Sequence, residues 1–392
     1  MKRIFYLIIA CTFSHFTLTA QWTKETDFGG DERDGAISFV INGTAYMGGG
    51  IFSNDFWKLN NSTKTWQVLN TIADGSSRCF AAATVANGKA YVVGGDFAFG
   101  QPTAELWEYD PTGDSWTKKT DFPAGKRVGM VAFTINNRIF IGGGANILTN
   151  SGLGTVYNDL FEYIPTTDSW ITLPALPFKA AFANTFVIGN DAYITLGSPA
   201  NGLYNKNLYK FDATTNTWTA KATFIGDNRN GGIAFVINGK GYAGLGQSDF
   251  SNSYQDIYEY NPATDTWTMA TSFPHDKTAW ATAFVLNNTA YVGTGATPAL
   301  EFTKEMYSFT SSPNNIKPVE NIADIQAYPN PITDELIVEN IAIGSTITLT
   351  DVTGKTVYTT ITEGETTTLP TASLANGIYI LYTPQGTIKL VK

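Results

Sequence analysis

The stretch FAAATVANGKAYVVGG at residues 80–95, followed by LWEYDPTGDSWTKK at 106–119, reads as four short strands. Phe80 to Ala86 and Ala90 to Gly95 form the first two, and Leu106 to Asp110 and Ser115 to Lys119 the second two. Asn87-Gly88 sits between the first pair, and it tolerates the positive φ that a two-residue hairpin needs. Asp110-Pro111-Thr112-Gly113-Asp114 sits between the second pair, where Pro, which donates no ladder hydrogen bond, belongs in the turn.

The same unit recurs along the chain, and repetition outranks every other signal. Trp22, Trp66, Trp116, Trp170, Trp218 and Trp267 are spaced by 44, 50, 54, 48 and 49 residues. Tyr46, Tyr91, Phe140, Tyr193, Tyr242 and Tyr291 form a second series, each followed by glycine. Asn42-Gly43, Asn136-Asn137, Gly189-Asn190, Asn238-Gly239 and Asn287-Asn288 repeat the hairpin turn. The pattern predicts blades converging on an axis. The innermost strands then need small residues (Ala81 to Ala83; Ala180, Ala181 and Ala183; Ala279, Ala281 and Ala283), and the aromatics fill the diverging outer gaps. The tryptophans are therefore read as structural.

The sixth unit lacks its Trp after Tyr307 and Phe309, whereas Gln21-Trp22-Thr23 stands alone at the front. The N-terminal segment is expected to supply the missing strand and so remove exposed sheet edges. Glycine after an aromatic, an aromatic pair, then the spaced Trp resembles the kelch repeat over about 21–310. The resemblance implies a six-bladed all-β propeller. It is specific for fold and not for function.

The two ends carry different signals. Lys2 and Arg3, the apolar run Ile4 to Cys11, and Thr19-Ala20 read as a signal peptide over 1–20; lipid attachment at Cys11 is the competing reading. Removal of that leader takes the formal charge from −9 to −11, because Lys2 and Arg3 leave, and it leaves Cys79 and His275 as the last Cys and His. An intramolecular disulfide is then excluded. No later apolar run is long enough to span a membrane, and an acidic chain without basic clusters argues against nucleic acid. A linker is expected at 311–319. Over 320–392 come Tyr328-Pro329-Asn330-Pro331, Asp351-Val352-Thr353-Gly354-Lys355, Leu374-Ala375-Asn376-Gly377-Ile378-Tyr379 and Lys389-Leu390-Val391-Lys392. In that order they resemble the type A sorting domain of the type IX secretion system, a small antiparallel sandwich; an ordinary adhesive sandwich is the alternative. The resemblance implies a Bacteroidetes origin, handling by that machinery, and secretion or attachment to the outer-membrane surface.

Candidate sites fall on one rim. A basic residue recurs before each innermost strand: Arg33, Arg78, Arg127, Lys179, Arg229 and Lys277. Such a ring would hold an anion such as an acidic sugar, unless each cation pairs with nearby Glu32, Asp34, Asp227 or Asp276. Between the second and third strands lie Phe97, Phe99, Tyr157, Tyr204, Phe250, Tyr254 and Phe302, suited to stacking on sugar rings or to capping the blades. One remaining His cannot build the two-His, two-Tyr copper site of galactose oxidase, nor a His-rich zinc site, and no cofactor is expected. His275 beside Asp276 is badly placed for a Ser–His–Asp arrangement and reads as a loop residue. Asp27, Asp31, Glu32 and Asp34 fit no standard calcium loop. The expectation is a secreted binding propeller for a glycan or surface protein. A metal-independent sialic acid mutarotase, which this chain resembles in blade number and rim arginines, and a structural surface-layer protein are the alternatives.

Overall fold

At each predicted hairpin an Asn or Gly takes the left-handed backbone, such as Asn87 at φ 51° with Gly88 at 73°, and Asn238 at 51° with Gly239 at 71°. A two-residue turn of that kind matches the twist of its flanking strands, so each hairpin closes without splaying. The computed structural model describes residues 21–392 apart from 73–74, 98–99, 150–151, 250–251, 277, 312–325, 342, 353–354, 365 and 384–385. The proposed leader, most of the linker, Lys277, Phe99, Phe250 and Gly354 lie outside the described residues. Every described element is a strand, and among the described residues no helix is long and apolar enough to cross a membrane. The chain divides into two compact units at Ser312/Pro313.

The first unit holds six four-stranded antiparallel sheets. In the second of them Ala82–Ala86, Lys89–Val93, Leu106–Asp110 and Ser115–Lys119 pair in chain order. The sixth combines Thr282–Leu286, Thr289–Gly293 and Met306–Thr310 with Gln21–Lys24, whose Trp22 faces Phe309 in register. Two small hairpins project from the loops, Leu148–Thr149 with Gly152–Leu153 and Gln247–Asp249 with Asn252–Ser253.

Tryptophans sit between sheets, as their spacing requires. Trp116 packs edge-on against Phe56 of the sheet before it at 4.9 Å, and its indole N–H donates to the Asn70 carbonyl at 3.1 Å. Trp170 and Trp267 repeat that bond to Thr120 and Ala222. The turn aspartates add a second tie. Asp114 accepts from the Tyr109 hydroxyl of its own sheet and from the Asn70 backbone N–H of the preceding one. Asp168 and Asp265 do the same through Tyr163 and Thr120, and through Tyr260 and Ala222.

Small residues line a cavity of about 260 Å³ along the innermost strands, among them Ala81, Ala83, Ala183, Ala281 and Ala283. Ala180, Ala181 and Ala279, expected there, instead precede those strands and are buried; Ala181 and Ala279 bridge Ser198 and Ala296. At or just before the start of each innermost strand comes one residue with φ near 60°: Gly35, Phe80, Gly129, Phe182, Gly231 and Trp280. Their backbones bond in series. Phe80 donates to Gly35, Gly129 to Phe80, Phe182 to Gly129, Gly231 to Phe182, Trp280 to Gly231 and Gly35 to Trp280, at 2.8–3.4 Å, so the series returns to its start.

The second unit stacks two sheets over a core that includes Leu336, Ile347, Leu349, Leu369 and Leu381. Gln326–Tyr328, Glu335–Glu339 and Thr366–Pro370 form one sheet. Thr346–Asp351, Thr356–Ile361, Ile378–Thr383 and Gly386–Val391 form the other. Its separated motifs interlock. Asn330 donates to the Lys389 carbonyl and accepts from the Val391 N–H, and Gly377 and Lys392 exchange backbone bonds at 2.9 and 3.0 Å. Tyr379 donates to Ala375, and Tyr328 to Glu339.

Candidate functional site

The four arginines of the predicted ring are turned inward. Arg33, Arg78, Arg127 and Arg229 are at most 4% exposed. Each pairs with the acid at, or immediately before, the start of the third strand of its own sheet. Arg33 forks onto both oxygens of Asp55, and Arg229 onto both of Asp256. Arg78 reaches Glu105 at 2.8 Å, and Arg127 reaches Asp159 at 3.3 Å. The sequence neighbours Glu32, Asp34, Asp227 and Asp276 are not these partners. Lys179 is exposed, and in its sheet Asn207 replaces the acid, so both members of the pair change together.

Burial pushes the Glu105 carboxyl up, but hydrogen bonds from Arg78, Lys118 and Trp107 outweigh it and hold the group at about 2. Asp256 is likewise held below its usual range; burial opposes, and Arg229 prevails. A guanidinium withdrawn from water and forked onto a carboxylate fastens its own loop. It has little left for an incoming anion.

The loop aromatics lie over these arginines. Tyr157 covers Arg127 at 3.6 Å, Tyr254 covers Arg229 at 4.0 Å, and Phe97 covers Arg78 at 5.0 Å. Tyr254 also donates to Ser248. These three rings cap the arginines of the ion pairs. Tyr204 is half-buried and lines a small cavity of about 70 Å³ with Phe182 and Trp280. His275 faces Glu305 at 3.3 Å beside Phe273 and Tyr307. Among the described residues no three His, Cys, Asp or Glu converge to hold a metal ion.

A different feature gathers a site. Phe80, Phe182 and Trp280 alternate with glycine around the hydrogen-bonded series, and their rings meet edge to face at 5.4, 5.1 and 4.7 Å. A Cβ on Gly35, Gly129 or Gly231 would lie 2.5–2.7 Å from one of these rings, so glycine at alternate positions is what lets the three aromatics converge. They separate the inner cavity from a second one, of about 290 Å³, on the loop side.

That loop-side bowl has Phe80 and Trp280 as its floor, Phe302 and Leu148 in its wall, and Asp34 and Gln247 among its polar groups. Phe52 and Leu300 stand at its edge, 77% and 66% exposed, both with φ near 58°. Large side chains rarely accept that backbone, and strain of this kind gathers at ligand sites. Asp34 is 7% exposed, and its Oδ1 is buried without a hydrogen-bond partner. Burial lifts its carboxyl to about 7, against a small opposing backbone hydrogen bond. In sequence Asp34 stands with its acidic neighbours, but Asp31 and Glu32 are exposed where Asp34 is buried. The legible signal was the alternation of glycine with an aromatic before each innermost strand.

Comparison with known proteins follows the same division. Residues 12–197 match the KLHDC2/KLHL20/DRC7 Kelch-repeats domain, and residues 326–392 match the Secretion system C-terminal sorting domain. The chain therefore carries a kelch-repeat domain and a type IX sorting domain. It is similar to the N-acetylneuraminate epimerase of Shigella sonnei, 36% identical over 87 residues, which are 22% of this chain and 23% of that protein. The Pasteurella multocida enzyme of the same name is 27% identical over 199 residues, 49% of this chain and 47% of that protein. The chain thus spans less than half the length of either. The Haemophilus influenzae enzyme is 25% identical over 256 residues, covering 56% and 68%. A solved structure titled "Structure of YjhT" superposes with TM-score 0.66 at 19% identity, over 74% of this chain and 98% of that one. That likeness shows a shared β-propeller fold.

Proposed function

We propose that this kelch-repeat propeller is a secreted or surface-held sugar-binding protein whose ligand, an uncharged sugar ring, sits in the loop-side bowl. The six sheets are read as six blades over 21–310, with Gln21–Lys24 completing the last. Support comes from the pairing of that strand with Met306–Thr310 and from the backbone series that ends where it began. The sorting domain supports secretion or surface attachment through the type IX route.

One observation carries the ligand class. The bowl combines an aromatic floor with a few polar groups, which is how a pyranose, apolar on its faces and polar at its edge, is held. No Arg or Lys is among its described lining residues, so an acidic sugar finds no counter-charge there. A second reading, a sialic acid epimerase, draws on the name shared by the similar enzymes and on the shared fold.

Titrating the full chain with glucose, galactose, N-acetylglucosamine, N-acetylmannosamine and N-acetylneuraminic acid, followed by calorimetry and Trp fluorescence, tests this. A neutral sugar should bind, and Phe52→Gly and Trp280→Ala should each weaken it about tenfold. Preference for N-acetylneuraminic acid would favour the epimerase reading. Silence from all five would overturn the sugar reading and point to a protein partner.

A further inference from the structure

We propose that the bowl holds one unit of a neutral glycan chain, and that the adjoining cavity of about 70 Å³ is the subsite for the next unit. The inference rests on the sugar-binding reading and extends it from a single ring to a linked pair. At about 290 Å³ the bowl lies at the bottom of the range for small-molecule sites, about 300–1,000 Å³, and one ring fills it. Leu148, Gln247 and Trp280 line both cavities, so the two share a wall. The aromatic trio is divided between them. Phe80 lines the bowl, Phe182 its neighbour, and Trp280 both.

The repeat singles out one polar residue in each cavity. Immediately before the six members of the backbone series stand Asp34, Cys79, Val128, Ala181, Asn230 and Ala279, all buried. Cys79, Val128, Ala181 and Ala279 are the small or apolar residues that a buried position of the repeat accepts. Asp34 and Asn230 depart from that rule. Each has its Oδ1 buried without a hydrogen-bond partner, Asp34 in the wall of the bowl and Asn230 in the wall of the smaller cavity. A buried acceptor left unsatisfied is costly, and four equivalent positions do without one. The two oxygens are therefore kept for hydroxyls of two successive sugar units.

Asn230 is also held in place. Its backbone exchanges hydrogen bonds with Gln247 at 2.9 and 3.0 Å, and its amide nitrogen donates to the Ser198 hydroxyl at 2.7 Å. Turning the amide over would only exchange the paired atom for the unpaired one. No charged residue is among the described residues that line this cavity, so the second unit is neutral like the first. The small volume admits the hydroxyl-bearing edge of a ring. The rest of that unit lies against half-buried Tyr204 and exposed Asn201.

Calorimetry of the full chain with glucose, galactose and N-acetylglucosamine, against maltose, cellobiose, laminaribiose, gentiobiose, lactose and chitobiose, is the test. At least one disaccharide should bind about tenfold or more tightly than either of its component sugars. Asn230→Ala and Tyr204→Ala should each erase that gain, bringing disaccharide and monosaccharide to within about threefold of one another. Melting curves show which variants are folded, and Tyr204→Ala, on a half-buried loop residue, serves if Asn230→Ala is not. Monosaccharide binding that no disaccharide exceeds, or a gain retained by either folded variant, overturns the second subsite and leaves the sugar reading intact. Failure of every sugar to bind overturns both.

Discussion

Phe182 and Trp280 meet edge to face with centroids 4.7 Å apart and planes at 72°, although they belong to loops almost a hundred residues apart. Between them in the backbone series lies Gly231, whose N–H donates to Phe182 and whose carbonyl accepts from Trp280. A methyl group at Gly231 would come within 2.5 Å of the Trp280 ring, and Gly231 has φ 60°. Gly231→Ala should therefore destabilise the propeller by about 1–3 kcal/mol. Displacement of the indole should also shift the Trp emission, readable by denaturant titration with fluorescence. Gly239→Ala makes a control, because it has a similar φ of 71° and nothing within 4 Å. It should cost stability without the spectral change.

Arg78 and Glu105 test whether the recurrent cations are structural. Arg78→Ala leaves Glu105 without its guanidinium and should cost about 3 kcal/mol, at the low end for a buried pair because Lys118 and Trp107 remain. The sign with pH follows from the lowered carboxyl. Its stabilisation is complete above the unfolded value of 4.5 and is lost as pH falls toward about 2. Glu105→Gln should be less stable than the native chain at pH 7, with the gap closing across that window in urea melts. A gap that persists to pH 2 would mean that packing, not charge, is what the pair supplies.

Much of this was legible in the residues, and the omissions have two physical causes. Asn87-Gly88 and Trp116 announce themselves because their roles depend on local backbone and bulk, which repeat in sequence. The acids Asp55, Glu105, Asp159 and Asp256 repeat just as regularly before Phe56, Leu106, Leu160 and Ile257. Yet they meet their arginines across 22, 27, 32 and 27 residues, and a search among sequence neighbours misses that distance. Asp34 was hidden differently. It shares a cluster with Asp31 and Glu32, and only the folded loops reveal that it is buried while they are not.

Asp34 sets the opposite pH slope. Its folded carboxyl titrates at about 7 against 3.8 when unfolded, so the folded state holds the extra proton between those values. Stability contributed by this group is intact below about pH 4 and declines as pH rises to about 7. Asp34→Asn removes the titration and should flatten the melting temperature over pH 4–7, while raising it at pH 8. Calorimetric melts of the two chains in parallel, in buffers of matched ionic strength, read the difference directly. Identical slopes would place the Asp34 carboxyl near its ordinary value and in contact with water.

Trp22 bears on closure. Its ring lies 5.1 Å from Phe273 and 4.9 Å from Phe309, and its indole N–H donates to the Thr271 hydroxyl at 3.1 Å. Phe273 follows the strand Thr266–Ser272 of the fifth sheet, so Trp22 fills the gap between the fifth and sixth sheets just as Trp116 fills that between the first and second. Trp22→Ala should cost about 3 kcal/mol, the lower part of the range for a large aromatic because this ring is only partly buried. Thr23→Ala, on the same strand with an exposed side chain, should change stability by no more than about 0.5 kcal/mol. If the strand completes the last blade, Trp22→Ala should also hasten hydrogen exchange at Met306–Thr310, whose backbone pairs with Gln21–Lys24, ahead of the remaining sheets. Uniform protection loss across all six sheets would instead mean that the propeller opens only as a whole and that this seam is no weaker than the others.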